Sequence, residues 1–302
     1  METFSAIPVF VAVVEHGSFS QAAIRLGTSK SAVSKRIREL ESKLGVQLIH
    51  RTTRRLSLTE AGERYAEYAF KAFSAASEGV DSVTQLQGKP KGLLKINTPM
   101  SFGRLHIAPL VADFLALYPD IELNMVMDDK VFDLVEGGFD LAIRAGNLQD
   151  SSLIARRLAP CRSVICASPD YLAKNPLPLM PDELLKHNCI HYSYFSGGSE
   201  WTLLGESEPV KVKISGNYQV NNSEALQQAV LAGLGVAKIP TFIVGKDIAA
   251  GKLVPLLTDY DLPLQTLYAV FPERRYLPTK VRVFLDFIVD RLGGDRPYWD
   301  EQ

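Results

Sequence analysis

The sequence predicts a mixed α/β protein in three parts: an N-terminal helix-turn-helix, one long helix, and a larger body of alternating strands and helices. Three observations carry this reading. Two short helical patterns joined by a glycine-containing turn fall at residues 19–38. An apolar repeat close to 3.5 residues runs from Tyr65 to Gln87. Beyond Gly92, short apolar runs alternate with helical patterns, the βα rhythm of a mostly parallel sheet.

The head comes first. Phe4, Ile7, Phe10, Val11 and Val14 recur at helical spacing, so a first helix is expected from about Thr3 to Glu15, with Pro8 bending or delaying it. Ser18 with Gln21 has the form of a capping box, which starts a second helix at Phe19. Gly27 stands where a left-handed residue ends that helix, and Ser29 is a natural N-cap for a third. In the third helix Val33, Ile37, Leu40 and Leu44 form one apolar face. The opposite face carries Ser31, Ser34, Lys35, Arg38 and Ser42, short or basic, with no acid before Glu39. A major groove selects such a face: small side chains admit the helix, and Lys and Arg reach phosphates and guanine edges. A helical hairpin with a solvated basic face is the competing reading.

Gly45 ends the third helix, and Val46 to Leu58 reads as a β-hairpin with Arg51, Thr52, Thr53, Arg54 and Arg55 near its tip. Beside a recognition helix, such a hairpin resembles a wing that follows the backbone or enters the minor groove. The residues assigned to DNA are Ser29, Lys30, Ser31, Ser34, Lys35, Arg38, Arg51, Thr52, Arg54 and Arg55.

Charge distribution agrees. The 302 residues balance to −1, yet residues 1–60 hold nine basic and five acidic side chains, a net of +4 that leaves about −5 for the rest. A basic head on an acidic body suits a module that meets DNA while the remainder stays off the phosphates. With 46% hydrophobic residues the chain can bury a large core in two or three domains. No signal segment and no apolar run near the ~18 residues of a membrane span are seen, so a cytoplasmic protein with no membrane association is expected.

Thr59 can cap a helix to about Gln87. Its seam, Tyr65, Ala69, Ala72 or Phe73, Ala76, Val80, Val83 and Gln87, is that of a coiled coil and asks for a partner helix. Gly88 to Gly92 is the expected hinge. In the body, strands are expected at Leu93–Ile96, Ile121–Met127, Phe139–Ile143, Ser163–Ala167, Cys189–Tyr192, Val210–Ile214 and Gln265–Val270. A further apolar run spans Gly233–Pro240. Helices are expected up to Tyr118, near Val131–Glu136, at Ser223–Ala232 and at Thr279–Arg291, with a disordered tail from Asp295.

The wording of the helix-turn-helix, with Leu48-Ile49-His50-Arg51, Thr53-Arg54-Arg55-Leu56 and Leu58-Thr59-Glu60-Ala61-Gly62 after it, closely resembles the LysR-type transcriptional regulators. Ile49 stands where that family usually has an aromatic residue. Phe102-Gly103-x-Leu105, Tyr118-Pro119-x-Ile121, Phe139-Asp140-Leu141-Ala142-Ile143-Arg144, Asn221-Asn222-Ser223-Glu224-Ala225-Leu226 and Gly233-Leu234-Gly235-Val236-Ala237 resemble its effector domain. The resemblance implies a winged helix-turn-helix domain at 1–59, a linker and dimerisation helix at 60–88, and an effector domain at 89–302. That domain would have two subdomains, as in a periplasmic solute receptor: about 90–161 with 267–302, and about 162–266. It implies double-stranded DNA and a small-molecule effector as partners, a homodimer or homotetramer, and RNA polymerase as a further candidate.

The effector is expected between the subdomains, beyond the carboxyl ends of the strands. Ligand candidates are Thr98, Met100, Ser101 and Phe102 at the first strand-to-helix turn, Arg144 as countercharge, Asn221 and Ser223 opening another helix, and Tyr194 and Trp201 around a glycine loop. A helix N-terminus and an arginine suit an anion. Ser101, Asn221 and Ser223 could instead cap helices, Arg144 could pair on the surface, and the aromatic loop could pack on its own subdomain. Cys161, Cys166 and Cys189 raise a redox-sensing alternative, but five residues apart on strand-like sequence Cys161 and Cys166 fall on opposite faces, and inert buried thiols are the better reading. No metal-ligand spacing, cofactor motif or catalytic arrangement stands out, and Asp128-Asp129 reads as a turn. A cytoplasmic solute-binding protein or enzyme would account for residues 90–302 only. The sequence thus points to an effector-controlled DNA-binding regulator rather than an enzyme.

Overall fold

The computed structural model describes residues 4–51, 56–84, 89–130, 133–134, 137–146, 153–194, 197–205, 208–272, 277–294 and 297–300. The chain divides into two units, Met1–Lys89 with Phe132–Gly138, and Pro90–Val131 with Phe139–Gln302.

In the first unit a 3-10 turn, Phe4–Ala6, leads into α1 (Ile7–His16), so Pro8 sits in the first turn, where its missing N–H costs nothing. Helix α2 (Phe19–Arg25) is capped by Ser18, whose Oγ accepts the Gln21 N–H at 3.4 Å. Gly27, at φ 59°, makes the left-handed turn into α3 (Lys30–Leu44). Phe10, Val33, Ile37 and Leu40 are buried in one cluster with Ala22 and Ala23. Leu44, expected on that face, is 39% exposed, and Glu41 is buried instead. The Glu41 carboxylate accepts the backbone N–H groups of Leu48 and Ile49 at 3.0 and 3.2 Å, which anchors the hairpin to the helix.

Strands β1 (Ile49–Arg51) and β2 (Leu56–Leu58) pair antiparallel. Thr59 Oγ1 accepts the Gly62 N–H at 3.0 Å and opens α4 (Glu60–Thr84). Gly62 is required by a close approach: a Cβ there would lie 1.9 Å from the Leu48 carbonyl oxygen. Ala66 and Ala69 are buried in the head's core, with Tyr65 and Phe70 packed against it. The predicted seam is therefore split. Its first part covers the head, while Phe73 is 39% exposed and Ala76 is exposed as well. The side chains of Val80 and Val83, and residues 85–88, lie outside the described residues.

The second unit opens with β3 (Gly92–Thr98), then the helical run of α5 (Met100–Phe102), a π turn at Gly103–Ile107, a 3-10 turn and α6 (Val111–Leu117). β4 (Ile121–Met127), β5 (Leu141–Ala145) and β6 (Leu153–Cys161) follow. The helix expected near 131–136 falls largely outside the described residues. β5 begins two residues later than expected, and β6 was not foreseen. β7 (Ser163–Ala167) crosses into a second subdomain. That subdomain holds α7 (Pro169–Leu172), β8 (His191–Tyr192), β9 (Glu200–Leu204), β10 (Pro209–Lys213), β11 (Gln219–Val220), α8 (Ser223–Leu231), β12 (Ala237–Pro240), α9 (Thr241–Ala249) and β13 (Val254–Leu256). β14 (Gln265–Pro272) and α10 (Thr279–Leu292) return to the first.

The first subdomain's sheet has the order β4-β3-β5-β14-β6. β3 is parallel to β4 and β5, whereas β14 is antiparallel to β5 and β6. In the second, β12 and β13 both run antiparallel to β7. The expectation of a mostly parallel sheet is corrected: β7, entering the second subdomain, and β14, returning to the first, each run against the strands beside them. Leu94, Ile96, Phe114, Leu141, Phe284 and Leu285 fill the first core, and Trp201, Leu203 and Val212 are buried in the second.

Three further expectations change. The helical run Met100–Leu117 is 18 residues long and apolar enough to pass as a membrane span by length and composition. Phe102, Ile107 and Phe114 within it are fully buried in the subdomain core, the reason for its apolar character. The tail is ordered where described, with a 3-10 turn at Tyr298–Asp300 and Trp299 6% exposed. Cys161 and Cys166 stand on two strands, β6 and β7, not on one.

Candidate functional site

On the head, Ser29, Lys30, Ser31, Lys35 and Arg38 are exposed and Ser34 is half-buried, on the side of α3 away from Val33, Ile37 and Leu40. Ser29 is occupied locally: its Oγ accepts the Ala32 N–H at 3.2 Å and lies 2.9 Å from Ser31 Oγ. Arg38 Nε donates to the Ser34 carbonyl at 3.4 Å, which lays the guanidinium along the helix. Lys35 Nζ is 3.8 Å from Glu39, an exposed i,i+4 pair that gives up little if the lysine turns to a phosphate. His50 pairs with Ser57 in the hairpin, which places the Arg51 backbone at the start of the tip. The Arg51 side chain and residues Thr52, Arg54 and Arg55 lie outside the described residues.

In the second unit a cleft of about 680 Å³ lies between the two subdomains. Of the expected ligand residues, Ser101, Phe102, Arg144, Tyr194, Trp201 and Ser223 line it. Thr98, Met100 and Asn221 are not among its lining residues. Thr98 is fully buried, its hydroxyl donating to the Pro99 carbonyl at 3.4 Å, and Met100 is 41% exposed. The cap of α8 is Asn222, whose Oδ1 accepts the Ala225 N–H at 2.9 Å, so neither Asn221 nor Ser223 serves that role.

Ser101 does not cap its own helix, whose N-cap is Pro99. Ser101 is 4% exposed, and its Oγ has no hydrogen-bond partner in the protein. Arg144 Nη1 donates to Asn97 Oδ1 and to the Ile143 carbonyl, while the buried Nη2 has no partner. Asn97 is held in turn by its Nδ2, which donates to the Val126 carbonyl at 3.1 Å. Burial lowers the Arg144 pKa, so a desolvated cation faces the cleft with an unused donor. An unused buried donor costs free energy that an incoming acceptor can recover.

Several lining residues were not foreseen. Lys238 on β12 reaches the cleft from the second subdomain, and burial pushes its ammonium down to about 8. His191 lines it too, with Nδ1 buried and unpartnered. Asp129 Oδ1 accepts the Met100 N–H at 2.9 Å, so the first N–H of the helical run is already occupied by a carboxylate. Burial raises the Asp129 pKa, and the hydrogen bonds from the Met100 N–H and then from Tyr192 oppose that rise. The Met100 N–H is thus not free for a ligand, whereas Ser101 Oγ and Arg144 Nη2 are without partners in the protein. Trp201 is 1% exposed and packs in the core of its own subdomain while also lining the cleft.

All three cysteines are buried, and burial pushes each thiol up to about 12. Among the described residues no group of three His, Cys, Asp or Glu could hold a metal ion.

A basic helix beside a hairpin in one unit, and a cleft with aromatic and charged side chains between two α/β subdomains in the other, together define a ligand-responsive DNA-binding regulator. Residues 4–63 match the bacterial regulatory helix-turn-helix proteins of the lysR family, and residues 87–293 match the LysR substrate binding domain. The chain belongs to the LysR family of transcriptional regulators, with a DNA-binding helix-turn-helix and an effector-binding domain. It is 39% identical over 286 residues to the HTH-type transcriptional regulator PtxR of Pseudomonas aeruginosa, covering 95% of this chain and 92% of that protein. It is 38% identical over 290 residues to CrgA of Neisseria meningitidis serogroup C, covering 96% and 97%. The solved CrgA structure from Neisseria meningitidis covers 96% of this chain and 99% of that one, at 37% identity and a TM-score of 0.63. The full-length Vibrio cholerae virulence activator AphB covers 95% and 98%, at 29% identity and a TM-score of 0.60. These relatives are transcriptional regulators or activators by name.

Proposed function

We propose that this regulator is switched by a small anion bound in the cleft between its subdomains. The observation that carries the reading is the pair of buried, unpartnered donors, Ser101 Oγ and Arg144 Nη2, on the wall of one cavity. Lys238 adds a second cation from the opposite subdomain, so an anion held by both sides favours one cleft geometry over another. A ligand shifts such an equilibrium only by its difference in affinity for the two arrangements. Phe102, Tyr192, Tyr194 and Phe242 give the cleft aromatic walls, which suit an anion with an apolar body.

On DNA, Lys30, Lys35 and Arg38 act from α3 and Arg51, Thr52, Arg54 and Arg55 from the hairpin, with Ser29, Ser31 and Ser34 close to the backbone. The working form is a homodimer or homotetramer. Its dimer contact is the α4 stripe beyond the head, where Phe73 and Ala76 are exposed. The protein acts in the cytoplasm, as a regulator without catalytic activity, and RNA polymerase is its further partner. Burial of the three thiols works against redox sensing.

The test is calorimetry of wild type and Arg144→Gln against a panel of small monoanions, dianions, neutral isosteres and cations. Anionic ligands that lose at least about tenfold in affinity in the variant support the reading. Binding confined to neutral or cationic ligands, or anion binding unchanged in the variant, overturns it.

A further inference from the structure

The C-terminal turn Pro297–Asp300 lies against both sides of the cleft. Trp299 is buried among Phe102 and Phe242, with ring centroids at 5.9 and 6.3 Å. Those two rings both line the cleft, Phe102 from the first subdomain and Phe242 from the second. Phe242 packs against the first subdomain's core and also against a core cluster of the second. His106, in the π turn of the first subdomain, stacks on Phe102 at 5.2 Å and meets Trp299 at a tilt, with centroids 4.6 Å apart.

The polar contacts have a defined sense. His106 Nε2 lies 3.0 Å from the Phe242 carbonyl, which can only accept, so Nε2 carries the proton. Nδ1, 2.5 Å from the Tyr298 hydroxyl, then accepts from it in the neutral ring. Burial lowers the His106 pKa, which favours that neutral form. Two residues on, Asp300 accepts from Arg162 Nη1 at 2.6 Å and from Thr241 Oγ1 at 2.7 Å. Arg162 is the residue where the chain crosses between subdomains, and Thr241 begins α9. One short turn thus holds His106, the crossover and the start of α9.

We infer that this turn is a clasp: Phe102 and Phe242 meet edge to face, with centroids 5.4 Å apart, and Tyr298, Trp299 and Asp300 are positioning residues that hold the two rings together where the walls of the cleft join. The clasp fixes where the walls stand, without reaching the ligand itself. Its consequence for signalling rests on the cleft being the effector site, whereas its effect on the walls does not.

Hydrogen exchange of the full-length protein, followed by mass spectrometry, tests it without a ligand. Trp299→Ala and Tyr298→Phe are compared with wild type and with Trp299→Phe, which retains an aromatic ring. Segments 100–107 and 240–249 are expected to exchange together and roughly two- to tenfold faster in the first two variants, the span of losing about one hydrogen bond. Trp299→Phe is expected to restore most of the protection. If Trp299→Ala does not fold, Tyr298→Phe and Asp300→Asn carry the test, since each removes one polar contact and keeps the packing. Faster exchange confined to 297–300, or to only one of the two walls, overturns the clasp. Equal loosening by Trp299→Ala and Trp299→Phe overturns the role of the ring. Calorimetry against the anion panel is then read separately: loosened walls with no anion binding in wild type would sink the effector reading and leave the clasp standing.

Discussion

The buried side chain of Glu41 ties the hairpin to α3. Its carboxylate accepts two backbone N–H groups, at 3.0 and 3.2 Å, from Leu48 and Ile49. Both residues are 1% exposed, so water does not replace a lost partner. A buried amide left unsatisfied costs about 1–3 kcal/mol. Two such groups put Glu41→Ala at roughly 2–5 kcal/mol after some relaxation, a large part of the ~5–15 kcal/mol that holds a domain together. Glu41→Gln keeps a carbonyl oxygen for both amides, so at those two hydrogen bonds it costs less, about 1 kcal/mol. In thermal unfolding of the full-length protein, Glu41→Ala should lower the head's midpoint by ~10 °C or more, and Glu41→Gln by roughly half that or less. Exchange at the Leu48 and Ile49 amides should rise in the same order, with the body's core unchanged. An alanine variant that melts with wild type would mean those amides find other acceptors, and the anchoring argument would fail.

Gly62→Ala should destabilise the head by about 1–3 kcal/mol despite the better helix propensity of alanine, because the new methyl meets the Leu48 carbonyl at 1.9 Å; a urea midpoint equal to or above wild type would refute the close approach. Anion affinity should fall as pH rises through about 8, where Lys238 loses its charge, and Lys238→Arg should flatten that fall, as read by calorimetry at pH 7 to 9.5. In the unliganded protein the linkage has the other sense. Between about 8 and the ordinary 10.5 the folded chain binds fewer protons at Lys238 than the unfolded chain, so this group's contribution to stability rises with pH there. Phe73→Asp should loosen the dimer by placing a charge on the exposed stretch of the α4 stripe. Sedimentation that shows the variant as firmly associated as wild type would move the dimer contact elsewhere.

Local signals read directly from the sequence. Ser18 and Ser29 cap their helices, and Gly27 takes the left-handed turn between them, because each depends only on atoms a few residues away. The strands Ile121–Met127 and Ser163–Ala167 begin and end where their apolar runs do. What escaped needs a distant partner. β6 is an edge strand whose first half is mostly exposed, so Arg156 and Arg157 hide it among polar sequence. Glu41 looks like a solvated residue until the hairpin brings two amides to it. Asp129 looks like half of an acidic turn until the pairing of β3 with β4 sets it beside Met100, 29 residues earlier. Trp299 follows a glycine-rich stretch that resembles a loose end, and only the assembled cleft walls show what it packs against. The strand-to-helix turns at residues 98–103 and 220–223 mark the cleft from both subdomains, and Ser101 and Ser223 from those turns line it, as does Arg144. Lys238 and His191 come from the facing subdomain, and no local pattern marks them.

Lys35 and Arg38 are proposed to carry DNA binding from the basic face of α3. Fluorescence anisotropy on a labelled duplex, selected by wild-type protein from a random-sequence pool, tests this most directly. The Lys35→Ala/Arg38→Ala variant should melt like wild type, because both side chains are exposed. It should bind that duplex at least about ten- to a hundredfold more weakly, the loss of one base contact and one phosphate contact, and with a shallower salt dependence. A folded double variant that binds the selected duplex at full strength, with an unchanged salt slope, would contradict the account.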